Sequence, residues 1–186
     1  IALTRNQTET AAGLADEAVA AAPDSAAARL ARSYARQAAF DLPGAISDLE
    51  AGAAAHPDNA LLRARLAELW LASGEIARSE AEARAALAAD PQLGLAHSVL
   101  GFVYLARLDV NAGRDSFMAA IGFESNAPLP RLGLGLAKIR DGDLEAGRQD
   151  IEIAVILDPG NSLIRSYVGK AYYEEKRDDL AALQFS

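Results

Sequence analysis

The chain has 186 residues, 51% hydrophobic and 6% aromatic, with a formal net charge of −8 and no cysteine. That balance argues against general binding to a phosphate backbone, whose affinity comes from lysine and arginine, and it excludes disulfides and thiolate catalysis. There is no uninterrupted apolar stretch of the roughly 18 residues that a bilayer-spanning helix needs, and the heavy use of alanine suits thin core layers between closely packed helices.

Residues 8–22 read as a helix with Ala11, Ala15 and Ala18 in its packing slots. Asp24 or Ser25 is positioned to cap the helix that follows, because a short polar side chain can accept from the free N–H groups of a first turn. That next helix, 26–38, is the irregular one. Spacing taken from the rest of the chain would set Arg32 and Arg36 in core slots. Moving the register by two residues puts Leu30 and Tyr34 there instead, and leaves the turn Phe40-Asp41-Leu42-Pro43-Gly44 two residues longer than the others. Helices are then expected over 43–55, 60–73, 76–89, 94–107, 110–123, 128–141, 144–157, 162–175 and 178–186, with Gly74-Glu75 and Asp141-Gly142-Asp143 as recognisable turns.

A 34-residue period runs through these helices. Small residues recur at Ala45, Ser79, Gly113, Gly147 and Ala181, and again at Ala18, Gly52, Ala86, Ala120 and Ala154. Large aliphatic and small residues recur as pairs at Leu66-Ala67, Leu100-Gly101, Leu134-Gly135 and Val168-Gly169; prolines stand at 23, 57, 91 and 159, with Ser125 in the remaining slot. Ladders in phase over the whole length mark a repeat architecture. The small residues let two helix backbones approach, and the prolines stop the second helix of each pair.

Leu100, Gly101, Tyr104, Gly113, Phe117 and Ala120, followed by Val168, Gly169, Tyr172, Ala181 and Phe185, resemble the tetratricopeptide repeat pattern. The resemblance implies an all-α fold, a right-handed superhelical solenoid of antiparallel helix pairs with about 11 helices. It implies one array over 1–186: a second helix at 8–22, full repeats at 26–55, 60–89, 94–123 and 128–157, and a shortened one at 162–186. The stretch 128–185 also looks like repeat regions of long bacterial envelope proteins with a FecR-like domain, which would imply a periplasmic address; a cytoplasmic one stays open. The chain opens on Ile1 and ends within a helix, so both ends read as cuts from a longer protein.

Reactive constellations are scarce. His56 and His97 have no partner at metal-binding spacing, and helix-end roles are expected. Gly133-Leu134-Gly135 lacks the preceding strand and third glycine of a dinucleotide loop. Asp141, Asp143 and Glu145 imitate the start of a calcium loop, but Ala146 stands at the position that must be glycine. Asn6-Gln7-Thr8 is a glycosylation triplet by spelling only. No catalytic set emerges, so the expectation is a non-enzyme without metal or cofactor. A basic column at Arg63, His97, Arg131 and Arg165, seven residues after His56, Asp90, Glu124 and Asp158, is read as local ion pairs with the acids among them or as contacts with helix-end carbonyls. The other reading is a stripe that grips an acidic partner.

The resemblance also implies that first helices line a concave groove. Its slots hold Ala64, Glu68 and Leu71; Ser98, Phe102 and Leu105; Leu132, Leu136 and Ile139; Ser166, Lys170 and Tyr173. Leu95 and Leu129 extend it. The candidate partner site is therefore Leu95, Phe102, Leu105, Leu129, Leu132, Leu136, Ile139 and Tyr173, an apolar surface suited to a peptide or amphipathic helix. These residues are alternatively covered by neighbouring helices. The family's carboxylate clamp is not expected, since its slots hold Ala64, Glu68, Val99, Leu129 and Gly133. The functional expectation is a protein- or peptide-binding scaffold without nucleic acid or membrane insertion; self-association through shortened terminal helices stays open. The alternatives are a spacer in an envelope protein or a regulatory module beside a catalytic domain. Arg29, Arg32 and Arg36 read as a basic rim or, more simply, a solvated face.

Overall fold

A computed structural model describes the chain from Thr8 to Phe185 and, among those residues, contains eleven α-helices and no strand. Asn6 of the glycosylation triplet and the side chain of Phe185 lie outside the described residues. The helices are α1 (Thr8–Ala21), α2 (Ala26–Ala38), α3 (Leu42–Ala55), α4 (Ala60–Ala72), α5 (Ile76–Ala89), α6 (Gly94–Ala106), α7 (Val110–Phe123), α8 (Pro128–Arg140), α9 (Leu144–Leu157), α10 (Ser162–Glu174) and α11 (Asp178–Phe185). From α3 onward they fall within about a residue of the expected boundaries, the natural uncertainty of helix ends. The chain divides into two compact units, the first ending at Val99 and the second beginning at Leu100, inside α6.

Caps begin the helices where the short polar side chains stand. Ser25, not Asp24, accepts from the Ala28 N–H at 3.2 Å. Asn59 and Asn161 do the same for Leu62 and Ile164, and Asp41, Asp109 and Asp143 for the helices that complete their pairs. Every turn within a pair is built alike. A residue with left-handed backbone stands at Phe40, Gly74, Leu108, Gly142 and Lys176, always 34 apart. In each turn its N–H bonds three residues back, and the next N–H bonds five back: Phe40 to Gln37 and Asp41 to Arg36, Gly142 to Ile139 and Asp143 to Lys138. This is the Schellman closure of a helix end.

The first of these turns overturns the expected register shift. Phe40 is in phase with Gly74, so the turn holds no extra residues. Ser33 is fully buried in the small-residue column of Ala67, Gly101, Gly135 and Gly169. Leu30 only flanks the core and Tyr34 is 41% exposed. Arg32 and Arg36 therefore occupy the large slots after all. The physical reason is Asp48 on α3, buried to 4% exposure, which both arginines reach. In α1, Ala15 and Val19 are buried, and Ala18, expected inside, faces solvent.

In the first unit, Leu49, Leu62, Leu66 and Leu69 form a core between α3 and α4, and Ala64, Ala86 and Ala96 form a second cluster. In the second unit, Leu132, Ile151, Ala154, Ile164 and Val168 join α8, α9 and α10.

Candidate partner-binding surface

The glycines of the second unit are packing devices. Phe117 on α7 is wholly buried between Gly101 of α6 and Gly133 of α8; a Cβ on either glycine would collide with its ring. Phe102 meets the same ring edge-on at 4.8 Å between centroids. Gly135 and Gly147 let α8 and α9 cross backbone to backbone, since a Cβ at Gly135 would lie 2.5 Å from the Gly147 carbonyl oxygen. Both glycines of the Gly133–Gly135 segment are thus accounted for by helix packing.

The basic column engages carbonyls at or just past helix ends, one of its two expected partner sets, and carboxylates other than the expected ones. Arg63 donates to the Pro57 carbonyl at 2.6 Å and to Glu82 on the next helix at 2.8 Å. His97 reaches the Pro91 carbonyl at 2.9 Å, and Arg29, one period before Arg63, donates to the Pro23 carbonyl at 2.9 Å. Arg131 pairs with Asp150 at 3.2 Å. Arg165 donates to the Leu183 carbonyl at 3.3 Å. The acids at the preceding helix end are not the partners. At Arg29, Arg63 and His97 the column ties each proline turn to its own repeat, and a carboxylate on the second helix is engaged at Arg63 and Arg131. His56 likewise contacts the Asp24 carbonyl through Nε2. Asp143 caps α9 and Asp141 holds Arg114 at 3.1 Å, so two acids of the calcium-like triplet are engaged in local contacts. Among the described residues no group of three or more metal-type ligands converges.

Four charged clusters replace apolar packing. Arg32 Nε donates to Asp48 Oδ2 at 2.9 Å, Arg36 lies 3.2 Å from the same carboxyl, and hydrogen bonding to Asp48 holds the Arg32 guanidinium above its ordinary pKa. Lys138 and Arg131 flank Asp150 in the equivalent place on α8 and α9, with Lys138 Nζ at 2.6 Å. Arg148, also buried, donates to Glu175 at 2.9 Å and Glu152 at 2.6 Å. Tyr172 donates to Glu152, and burial, then this hydrogen bond, raise its phenol above the usual value of 10.0. Arg65, 1% exposed, lies 3.9 Å over the Tyr34 ring and bonds Glu68 and Gln37.

The candidate groove residues fall into distinct environments. Leu132, 2% exposed, is core and offers no surface. Leu129, Leu136 and Ile139 are half-buried against that core, and Leu95 is half-buried against the alanine cluster. Phe102 and Leu105 are half-buried, while Tyr173 is 68% exposed. The structure adds Leu61 in the first unit and Leu163 in the second, both exposed, which share a 34-residue sequence spacing with Leu95 and Leu129. These positions lie just outside the family's groove slots. At 100° per residue, Leu163, Ser166, Lys170 and Tyr173 span an arc of about 80° on α10, and all four are exposed.

Residues 132–186 match the tetratricopeptide repeat family model. The whole fold is shared with repeat proteins of known structure. The chain has the fold of the tetratricopeptide repeat proteins. The Cut9–Hcn1 hetero-tetramer of the APC/C superposes with a TM-score of 0.87 at 16% identity over 98% of this chain, which spans only 36% of the length of that one. TTC0263, a thermophilic repeat protein of Thermus thermophilus, gives 0.79 at 16% identity over 92% of this chain and 93% of its own. YrrB, a repeat protein with an unusual peptide-binding site, gives 0.60 at 15% identity over 94% and 90%. No curated protein matches the chain, and these matches lend no support to the likeness with FecR-like envelope proteins. Tetratricopeptide repeats are in general scaffolds for protein–protein interaction rather than enzymes.

Proposed function

We propose that the second unit binds a peptide or helix of a partner protein along the first-helix faces of α8 and α10, with Phe102 and Leu105 of α6 contributing. The observation that carries this reading is the α10 arc, where Leu163 and Tyr173 are 54% and 68% exposed in register with the half-buried Leu129, Leu136 and Ile139 of α8. Apolar side chains left uncovered at one helical spacing suit an amphipathic segment, which buries its own apolar stripe against them. Lys170, its ammonium 3.9 Å from Glu174, stands between Leu163 and Tyr173 and would sit at the wet edge of such a contact. The peptide-binding site described for YrrB supports the reading, since a repeat protein of this fold can hold a peptide. The test is a pull-down comparing wild type with Leu163→Asp/Tyr173→Asp, a pair exposed enough to leave folding intact. Partners held by wild type and lost by the variant are expected; an identical set on both proteins refutes the groove.

A further inference from the structure

On the far side of α8 from Leu129, Leu136 and Ile139, a cleft of about 350 Å³ opens between α7 and α8. Met118, Ile121 and Leu134 supply an apolar floor, and Gly122 leaves one wall without a side chain. Met118 is 56% exposed, which is unusual for so large an apolar group lying over a pocket. Arg114, Arg131 and Lys138 line the rest. Two of these cations share Asp150, whose side chain is only 7% exposed beneath them, and Arg114 is held by Asp141 at the turn. The buried carboxylate orients Arg131 and Lys138 while the side open to solvent stays cationic.

A chain of net charge −8 thus presents a local basic rim around an oily floor. The corresponding cleft in the first unit, two periods earlier, has Glu50 in place of Met118 and Trp70 in place of Lys138. Glu82 also lines it, so the same backbone geometry there sets acids against Arg63 and Arg78. Of the two clefts, only the second has an apolar floor and no carboxylate among its lining residues, because Asp150, in the place of Glu82, is buried beneath the cations.

We infer that the α7–α8 cleft takes an acidic segment of a partner protein, inserting one large apolar side chain beside Gly122 while flanking carboxylates meet Arg114 and Lys138. Charge complementarity selects this occupant: three cations held by two carboxylates leave one positive charge in excess, which attracts an acidic segment and repels a basic one. The surface is separate from the α8–α10 face proposed above, so either can fail without the other.

The test is fluorescence anisotropy with a labelled peptide of leucine and phenylalanine flanked on each side by two glutamates. Its controls carry lysines for the glutamates, or serine and glycine for the apolar pair. Saturable binding at least about tenfold tighter than either control is expected, weakening as salt rises from about 0.05 to about 0.5 M. Gly122→Leu fills the cleft, and since nothing lies within 4 Å of its added Cβ, it leaves the fold intact; binding should drop by about tenfold or more. Arg114→Glu/Lys138→Glu should move preference toward the lysine peptide. Leu163→Asp/Tyr173→Asp should leave binding unchanged. No saturation, equal binding of glutamate and lysine peptides, or full binding by Gly122→Leu overturns the inference.

Discussion

The hairpins α2–α3 and α8–α9 occupy the same slots of the repeat with different chemistry. In α8–α9 the large and small slots are Leu134 and Gly135, and the helices cross on bare backbone. In α2–α3 they are Arg32 and Ser33, and the pair is joined through a buried aspartate. Yet the two share one device. Where the family's aromatic slot holds a cation, Arg36 or Lys138, the second helix places Asp48 or Asp150 against it. Where the slot holds Tyr104 or Tyr172, the matching positions are Ser116 and Gln184, and beside Trp70 the carboxylate of Glu82 is taken up by Arg63 instead. A repeat can therefore exchange an aromatic for an ion pair if the partner changes with it, because a buried charge is tolerated only when paired.

The sharpest way to break this comparison is at the backbone crossing. Gly135→Ala pushes a methyl group into the Gly147 carbonyl and Ile151, and Phe117→Ala empties the slot between Gly101 and Gly133. Each should cost about 3–5 kcal/mol, read by urea denaturation. Gly122→Ala on the same unit, with open space around it, should cost nothing. Asp48→Ala comes next: two arginines lose their shared carboxylate, at a cost of about 2–4 kcal/mol that changes little with salt because Asp48 is buried. Arg32→Leu/Arg36→Tyr/Asp48→Ser gives the hairpin the residues of the α6–α7 repeat, Leu100, Tyr104 and Ser116, and should be neutral or stabilising in the same assay.

Much of this is readable in the sequence because close packing imposes it. The period, the helix boundaries and the small-residue columns follow from backbone approach, which admits few residue types. The register of α2 is hidden for the converse reason. Arg32 and Arg36 break the hydrophobic rule, and nothing local announces that Asp48, on the next helix, neutralises both. The turn residues are hidden likewise: Gly74 and Gly142 advertise left-handed backbone, while Phe40, Leu108 and Lys176 adopt it against their preference. The candidate binding surface is half legible. Spacing finds the helix face, but burial separates Leu132, which is core, from Tyr173, which is open.

Smaller effects sharpen the same contrast. Phe40, at φ 61° and 96% exposed, holds a strained conformation without compensating burial. Phe40→Gly should stabilise the first unit by about 1 kcal/mol in thermal unfolding, and Gly74→Phe should cost a comparable amount. Arg63→Ala should lose about 0.5 kcal/mol, shrinking with salt as a partly exposed pair does. Tyr172 gives the smallest signal. Its phenol, held above the usual 10.0, favours the fold below that value and loses this contribution as pH rises through the folded pKa. Tyr172→Phe should therefore flatten the alkaline end of the stability–pH curve.

The strict 34-residue register of the first hairpin is tested most directly by a double-mutant cycle on Arg32 and Asp48. Coupling of about 2 kcal/mol, similar at low and high salt, is expected. Coupling near zero, with Leu30→Ala and Tyr34→Ala carrying the large losses instead, would place α2 two residues out of register and contradict the account.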